Sequence, residues 1–520
     1  MASTSSRRFL NMQHRTWIAV GMLCTLGWAV AQAQLPAPTI RRLAEARVPD
    51  ALAMFRDYLA LPNDAHSPDD IARLTTWLEQ AFVARGFTTR RLETAGLPLL
   101  YAERAVTGAR RTVLIYLQAD GQPVDATRWD QPNPYAAVLK RPVEGGGWAV
   151  IPWDRLRESR DPEWRIFARS ASDSKGPNIQ FLSALDAMAV AGVDLDYTLK
   201  VIVDTEEELG SPHMPEALAR HRDLLAADML VIFDGPPHVS NQPSLVFGAR
   251  GIATITLTTY GPDVPQHSGH YGNFIPNPAL RLSQILASMK DERGRVTIPG
   301  FYDGVVIDAA ARKILADVPD DEAAILRTMG VAEADAVAAT LQEAIQYPSL
   351  NIRGLASAWV GDQSRTIIPA TATAEVDVRL VKESDPQHLF QLIRRHIEGL
   401  GYHILDGPPT AEERLRHPRL VTFAGDVSYG AFRTDFEAEA GRWLTAGMTH
   451  LFGREPIRIR THGGSIPIAP FVSTLGVPAV IVPTVNPDNN QHSPNENIRL
   501  GNFAEGIAIV LAVLTHPMAP

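Results

Sequence analysis

Four apolar runs in this chain each stop at a polar side chain, and this pattern constrains the fold more than any other feature. Each run has the length of a buried strand, and amphipathic helical patterns separate the runs. Strands that alternate with helices predict an α/β domain with a largely parallel sheet. Ligands bind beyond the carboxyl ends of such strands, so the polar side chains are expected to converge on one crevice. The runs are Thr112–Leu117 before Gln118, Leu199–Val203 before Asp204, Met229–Phe233 before Asp234, and Ala479–Val482 before the loop that holds His492.

Residues 246–430 follow a different pattern. Ile252–Tyr260 and Thr371–Val381 alternate between apolar and polar side chains, as half-exposed antiparallel strands do. Pro278–Met289 and Gln387–Leu400 have helical spacing. The order predicts a ferredoxin-like α+β unit of β-α-β-β-α-β type, interrupted by a helical stretch near residues 320–345. Because α/β patterning resumes afterwards, we expect residues 34–245 and 431–520 to form one domain into which 246–430 are inserted.

The first 33 residues are typical of an export signal. Arg7, Arg8 and Arg15 precede a short apolar stretch, and Ala31–Ala33 is a small-x-small cleavage site. Cleavage at this site would give a mature start at Gln34. The signal predicts a periplasmic or secreted protein with no membrane attachment after cleavage. General-secretory and twin-arginine export both stay open. Cleavage would also remove Cys24, the single cysteine. The net charge of −9 argues against a nucleic-acid partner.

The polar clusters contain the side chains that a hydrolytic metal centre needs. Without cysteine, a metal such as zinc must be held by histidine and carboxylates. Such a centre also needs a carboxylate that binds no metal and can accept a proton from water. The adjacent Glu207 and Glu208 can divide these two roles, since neighbouring side chains point in different directions. Each cluster alone could be ordinary surface or a turn, so the prediction depends on their order and on their positions after strands.

In this order, the clusters resemble those of a zinc metallopeptidase family that includes carnosine dipeptidase, glutamate carboxypeptidase, aminoacylase, acetylornithine deacetylase and succinyl-diaminopimelate desuccinylase. The resemblance covers roughly residues 45–515 and is closest to the dipeptidase branch. The matching segments are Leu117–Pro123, Ala168–Gly176, Glu207–Ser211, His267–Gly269, Thr366–Pro369, Arg379, Gly463–Pro467 and His492–Glu496.

The resemblance implies a metal-binding role for five side chains. Asp173 would bridge two metals, Glu208 and His492 would complete one site, and Asp234 and the residue at position 118 would complete the other. Family members have histidine at position 118, whereas this chain has Gln118. An amide oxygen is a weak neutral ligand and an amide nitrogen is none. Three outcomes are open: one tight zinc, two zinc ions with the second loosely held, or a peptide-binding protein that has lost hydrolysis. Manganese or cobalt could replace zinc.

The resemblance also implies roles in catalysis and substrate binding. Glu207 would be the general base and acid, and Asp120 would support the ligand at position 118. The inserted unit would be a lid that dimerises, so that His267 and Thr366 act in the active site of a neighbouring subunit. Arg379, Gly464 and Ser465 would hold the substrate carboxylate. These roles predict an exported homodimeric metallopeptidase acting on dipeptides or short peptides with a free carboxylate. The alternatives are a deacylase of N-acyl amino acids and a non-catalytic peptide binder.

Overall fold

The computed structural model describes residues 34–464 and 466–518, so the predicted signal peptide and Ser465 lie outside the described residues. The strands in chain order are β1 (Thr88–Leu92), β2 (Leu99–Arg104), β3 (Thr112–Gln118), β4 (Val138–Pro142), β5 (Trp148–Val150), β6 (Arg165–Phe167), β7 (Thr198–Asp204), β8 (Met229–Ile232), β9 (Ser244–Val246), β10 (Gly248–Ala249), β11 (Gly251–Tyr260), β12 (Gln266–His267), β13 (Ser349–Ala356), β14 (Ile367–Ile368), β15 (Thr371–Leu380), β16 (His403–Leu405), β17 (Leu420–Tyr429), β18 (Phe432–Arg433), β19 (Ile457–Ile459), β20 (Ala479–Ile481) and β21 (Asn497–Arg499).

The helices in chain order are α1 (Ala37–Leu59), α2 (Pro68–Val83), α3 (Arg155–Glu158), α4 (Lys175–Ala191), α5 (Met214–Arg220), α6 (Arg222–Leu225), α7 (Ser268–Tyr271), α8 (Pro278–Met289), α9 (Ala309–Ala316), α10 (Glu322–Met329), α11 (Leu341–Ala344), α12 (Pro386–Gly399), α13 (Ala411–Arg416), α14 (Glu439–Phe452), α15 (Ala469–Leu475) and α16 (Leu500–Leu514). Short 3-10 helices cover Ala126–Arg128, Glu207–Leu209 and Gly361–Gln363. Within the described part of the chain, no helix is long and apolar enough to cross a membrane.

The central sheet has the strand order β1-β2-β7-β3-β8-β20-β9-β19, and its middle strands β7, β3, β8 and β20 are mutually parallel. Successive side chains of β3 point to opposite faces. Val113, Ile115 and Leu117 pack into the core that contains α1, α4 and α16, while Leu114 and Tyr116 pack into the core that contains α5 and α15. Helices therefore cover both faces, and the predicted α/β class with a largely parallel sheet is confirmed.

The second large sheet is built by the segment predicted to be inserted. Its order is β13-β15-β11-β17-β16, and the pairs among β13, β15, β11 and β17 are all antiparallel. With α8 after β11 and α12 after β15, the chain follows the predicted β-α-β-β-α-β path, and β16 extends one edge. Both helices have a proline as their first residue and a side-chain cap just before it. The side chain of Asn277 caps the N-terminus of α8, and that of Asp385 caps the N-terminus of α12. The helices α9, α10 and α11 lie between α8 and β13, where the sequence predicts a helical interruption.

The two sheets have separate apolar cores. Ala253, Ile255 and Leu257 on one face of β11 pack with α8 and α12, whereas the alternate residues of β11 are half-buried. A smaller sheet of order β21-β6-β4-β5 adjoins the loop that carries His492. It includes the glycine- and tryptophan-rich stretch near residue 148, which forms the hairpin β4–β5.

Candidate metal centre and active site

Three of the predicted ligands come together at one end of the parallel strands. Asp173 precedes α4, Glu208 follows β7 in a 3-10 helix, and His492 lies in the loop between β20 and β21. One ligand atom from each lies within 4.8 Å of those of the other two. His492 Nε2 is 2.9 Å from Asp173 Oδ2 and 3.4 Å from Glu208 Oε2. Two carboxylates and one imidazole at this spacing form a donor set that fits zinc or a related divalent metal.

The charges of this group favour a bound cation. Burial and the nearby carboxylate of Asp173 raise the pKa of Glu208 to about 7. The hydrogen bond to Asp173, followed by the charge of Glu208, raises the pKa of His492 to about 9. The two shifts share one contribution, the negative charge of Asp173, whereas burial raises the pKa of Glu208 and opposes the rise for His492. A divalent cation would offset that charge.

Glu496 fixes the loop that carries Asp173. Its buried carboxylate accepts hydrogen bonds from Arg169 Nη1 at 2.7 Å and from the backbone N–H of Ser170 at 2.9 Å. The backbone N–H groups of Ser172 and Asp173 also donate to it, both at 3.0 Å. Because Glu496 is only four residues from His492, this one side chain ties the two ligand-bearing loops together. The sequence marked Glu496 only as part of a motif and assigned it no role.

Asp120 holds the loop of the two adjacent glutamates. Its two carboxylate oxygens accept hydrogen bonds from the backbone N–H groups of Glu207 and Glu208, each at 3.0 Å. Burial, and next the charge of Asp204, raise the pKa of Asp120 well above its usual range. These contacts differ from the expected support of Gln118, whose side-chain nitrogen faces other carboxylates. Asp120 therefore orients the predicted base and one predicted metal ligand through their backbone.

The carboxylate of Glu207 differs from the others of the cluster in its hydrogen bonding. Among the described residues, no group donates a hydrogen bond to it, although the residue is half-buried beside the ligand group. Burial and the charges of Asp173 and Asp234 raise the pKa of Glu207 well above its usual range. A carboxylate that is free of partners and has a raised proton affinity is suited to exchange protons with water or substrate.

Gln118 stands where the family resemblance predicts a ligand of a second metal. Its Nε2 donates to Asp173 Oδ1 at 3.0 Å and to Asp234 Oδ1 at 2.9 Å, and it also lies 2.8 Å from Ser174 Oγ. Ser174 Oγ in turn donates to Asp234 Oδ1 at 2.7 Å. The amide nitrogen thus links the two carboxylates of Asp173 and Asp234. The Oε1 atom of Gln118 is buried and has no hydrogen-bond partner among the described residues.

The residues predicted to act from the lid, His267 and Thr366, lie on neighbouring segments. The strands β12 and β14 pair His267 with Ile367, and Ser268 N donates to the carbonyl oxygen of Thr366 at 3.0 Å. His267 Nδ1 accepts a hydrogen bond from Gly269 N, which leaves Nε2 as the outward nitrogen. Within the described part of the chain, neither side chain hydrogen-bonds to Asp173, Glu208 or His492.

Of the residues predicted to hold the substrate carboxylate, Arg379 and Gly464 are described. Arg379 on β15 lies 3.5 Å, Nε to Oδ2, from Asp377 on the same strand. Gly464 N donates to His462 Nδ1 at 3.2 Å. Ser174, like Glu496, has no predicted role; it stands inside the Asp173–Gly176 motif, which was the available signal.

Comparison with known proteins decides the family. The model of peptidase family M20/M25/M40 matches residues 139–516, which is more than half of the chain. The chain belongs to this family. The M20 peptidase is 25% identical over 428 residues to the Cys-Gly metallodipeptidase dug1 of Schizosaccharomyces pombe, covering 81% of this chain and 83% of that protein. It is 25% identical over 423 residues to the human Beta-Ala-His dipeptidase, covering 80% of this chain and 76% of that protein.

Solved structures agree with this assignment. The M20 family metallo-carboxypeptidase Sso-CP2 of Sulfolobus solfataricus matches with a TM-score of 0.73 and 25% identity, over 90% of this chain and 98% of that one. The match spans both the central sheet and the second sheet. The M20 peptidase described here is therefore a hydrolase with a plausible metal site, and the resemblance drawn from its sequence is confirmed.

Proposed function

We propose that this M20 peptidase is a metal-dependent dipeptidase that hydrolyses the amide bond of a dipeptide with a free C-terminal carboxylate. The observation that carries the proposal is the ligand group Asp173, Glu208 and His492. Beside it, the carboxylate of Glu207 accepts no hydrogen bond from the described residues. Two relatives named as dipeptidases support the substrate class.

The chain's own groups provide the proton transfers. A divalent metal at this site would polarise the scissile carbonyl and lower the pKa of water. Glu207 is placed to accept the proton of the attacking water and to give it to the leaving amine. Its raised pKa helps it to hold the proton between these two transfers. Asp120 keeps Glu207 and Glu208 at fixed positions by accepting hydrogen bonds from their backbone N–H groups.

We also propose that the enzyme works with one tightly bound metal ion, with zinc as the first candidate and manganese or cobalt as alternatives. Asp173, Glu208 and His492 can hold an ion without help from position 118. At the other position, the hydrogen bonds of Gln118 Nε2 satisfy Asp173 and Asp234 in place of a cation. An N–H group directed at the carboxylates opposes a second ion there, because the ion would need a lone pair instead.

A hydrolysis panel tests the proposed function. Purified protein with added zinc should cleave at least one of Cys-Gly, β-Ala-His and Gly-Leu, and it should cleave N-acetyl amino acids more slowly. Product amino acids are measured by chromatography. Faster cleavage of N-acetyl amino acids would favour the deacylase, and no cleavage of any compound with tight dipeptide binding would favour the peptide-binding alternative.

We propose that the segment 246–430 is a lid that forms a homodimer. Support comes from the edge strand β13, whose apolar side chains Ile352 and Leu355 are exposed, as are Trp359 and Val360 just beyond it. Exposed apolar side chains on an open sheet edge favour pairing with another chain. The outward Nε2 of His267 is then available to a neighbouring subunit.

Mixing two inactive variants tests whether His267 acts across subunits. His267→Ala and Glu207→Gln proteins should each be nearly inactive alone. After mixing and subunit exchange, hybrid dimers contain one site with an intact Glu207 and a partner's His267, so activity should return to about a quarter of the wild-type value. The control is a mixture of Glu207→Gln with the Glu207→Gln/His267→Ala double variant. Unchanged inactivity of the first mixture, with hybrid dimers shown by native mass spectrometry, would contradict action in trans.

We propose that the protein is exported to the periplasm or beyond the cell. The support is the sequence pattern of residues 1–33, with its arginines, short apolar stretch and Ala31–Ala33 cleavage site.

A further inference from the structure

Arg250 is a buried arginine whose Nε atom has no hydrogen-bond partner among the described residues. It lies between β10 and β11, at the point where the chain passes from the central sheet into the second sheet. The residue is 8% exposed. Its Nη2 donates to the carbonyl oxygen of Tyr347 at 3.1 Å, but its Nε is buried and has no partner among the described residues. Buried arginines are normally paired, so an unfilled guanidinium needs an explanation.

Backbone pairing places Arg250 beside the loop predicted to hold the substrate carboxylate. Its neighbour Ala249 forms a parallel bridge with His462. The backbone N–H of His462 also donates to the carbonyl oxygen of Gly248 at 2.7 Å. Since Gly463 and Gly464 follow directly, Arg250 stands at the start of the glycine loop.

The sheet register also places Arg379, which is predicted to bind the substrate carboxylate, near Arg250. Ile252 pairs with Arg379 across β11 and β15. Arg250 is two residues before Ile252, so Arg250 and Arg379 are diagonal neighbours, and such neighbours lie within reach of long side chains. Burial, followed by the positive charge of Arg379, lowers the pKa of Arg250 to about 10, while Asp377 opposes the shift.

The carboxylate nearest to Arg250 already has other partners. The carboxylate of Asp377 lies 3.5 Å from Arg379 Nε through Oδ2, and its Oδ1 accepts a hydrogen bond from Asn351 at 2.8 Å. Asp377 is thus engaged by Arg379 and Asn351, and among the described residues Arg250 forms no ion pair of its own. A buried cation without a matching anion is costly, and a carboxylate from a ligand would offset that cost.

We infer that Arg250 acts together with Arg379 as a second cation in the binding site for the substrate's C-terminal carboxylate. The inference rests on the proposed dipeptidase function and adds a residue that its motifs do not include. Arg250 offers a planar guanidinium that can donate two parallel hydrogen bonds to a carboxylate. Two arginines at one carboxylate favour substrates with a free C-terminus over the same peptides with a C-terminal amide.

The test measures binding rather than turnover. In a zinc-loaded Glu207→Gln background, the affinities for Cys-Gly, β-Ala-His and Gly-Leu are measured by calorimetry and compared with those for the corresponding C-terminal amides. The background should prefer each carboxylate that it binds. Adding Arg250→Gln should lower that preference by about 10- to 100-fold, because a charge-assisted hydrogen bond is lost. Adding Arg353→Gln, an exposed arginine of β13 in the same sheet, should leave the preference unchanged.

Arg250→Lys guards against a folding defect in the glutamine variant. It keeps a positive charge but loses the planar fork, so dipeptide affinity should fall several-fold while zinc content stays normal. Three results would each overturn the inference. The first is a dipeptide affinity of Arg250→Lys equal to that of the background, and the second is an unchanged carboxylate preference in Arg250→Gln. The third is that the background binds no dipeptide. Failure of the wild-type protein to hydrolyse peptides would count against the proposed function alone, since the binding comparison does not require turnover.

Discussion

Replacing Glu207 by glutamine should lower kcat for dipeptide hydrolysis by about 10²- to 10⁴-fold, the range that a positioned general base contributes. Glutamine keeps the size of the side chain but cannot accept the proton of water. The ligand group Asp173, Glu208 and His492 is untouched, so metal content should stay at the wild-type level. Steady-state kinetics and elemental analysis on the same preparation check both expectations.

Stability gives a second measurement on the same variant. A carboxyl group whose pKa is raised by burial and nearby negative charges destabilises the fold when it ionises at neutral pH. Glu207→Gln should therefore not lower the Tm of the metal-free protein. Glu206→Gln is the matched control, because Glu206 is buried but pairs with His213 at 2.8 Å and should retain activity. Wild-type kcat in Glu207→Gln, or an equal loss in Glu206→Gln, would contradict the assignment of the base.

Replacing Gln118 by histidine should raise the metal content from about one ion per chain to about two, because imidazole offers the lone pair that the amide nitrogen lacks. The change also removes the N–H groups that now satisfy Asp173 and Asp234. Those two carboxylates would then be free to share a second cation. Burial and the charge of Asp173 raise the pKa of Asp234 to about 7, and a cation would offset that nearby negative charge. Elemental analysis after dialysis against micromolar zinc measures the content.

The alanine variant separates the two effects of this change. Gln118→Ala removes the amide but adds no ligand, so its metal content should stay near one ion per chain. If Gln118→Ala also bound two ions, the amide would be acting only as an obstacle. Wild-type protein that already held two ions would show that Gln118 turns its oxygen, and not its nitrogen, toward the second position.

Much of the fold could be predicted because local patterns and the global topology agree. The apolar runs 112–117, 199–203 and 229–233 all lie in or beside parallel strands of the central sheet, and their polar successors lie at one edge. The alternating segments Ile252–Tyr260 and Thr371–Val381 became the central pair of the second sheet. The predicted helix Pro278–Met289 has the bounds of α8, and the predicted helix Gln387–Leu400 differs from α12 by one residue at each end.

The remaining features depend on contacts between residues far apart in the chain. The sequence indicated that Gln118 breaks the ligand pattern, but not that its nitrogen joins two carboxylates through hydrogen bonds. The four hydrogen bonds of Glu496 join segments more than 300 residues apart, and no spacing rule predicts them. The role inferred for Arg250 depends on the β11–β15 register and on the burial of its side chain, and neither can be predicted from a single sequence.

Titration of metal-free protein with zinc, with dipeptide hydrolysis followed at each addition, tests the central claim most directly. The claim is that Asp173, Glu208 and His492 form one sufficient metal site. Activity should rise linearly and reach its plateau at about one equivalent of zinc per chain, since one tight site binds stoichiometrically. A plateau reached only at about two equivalents, or no hydrolysis at any zinc concentration, would contradict it.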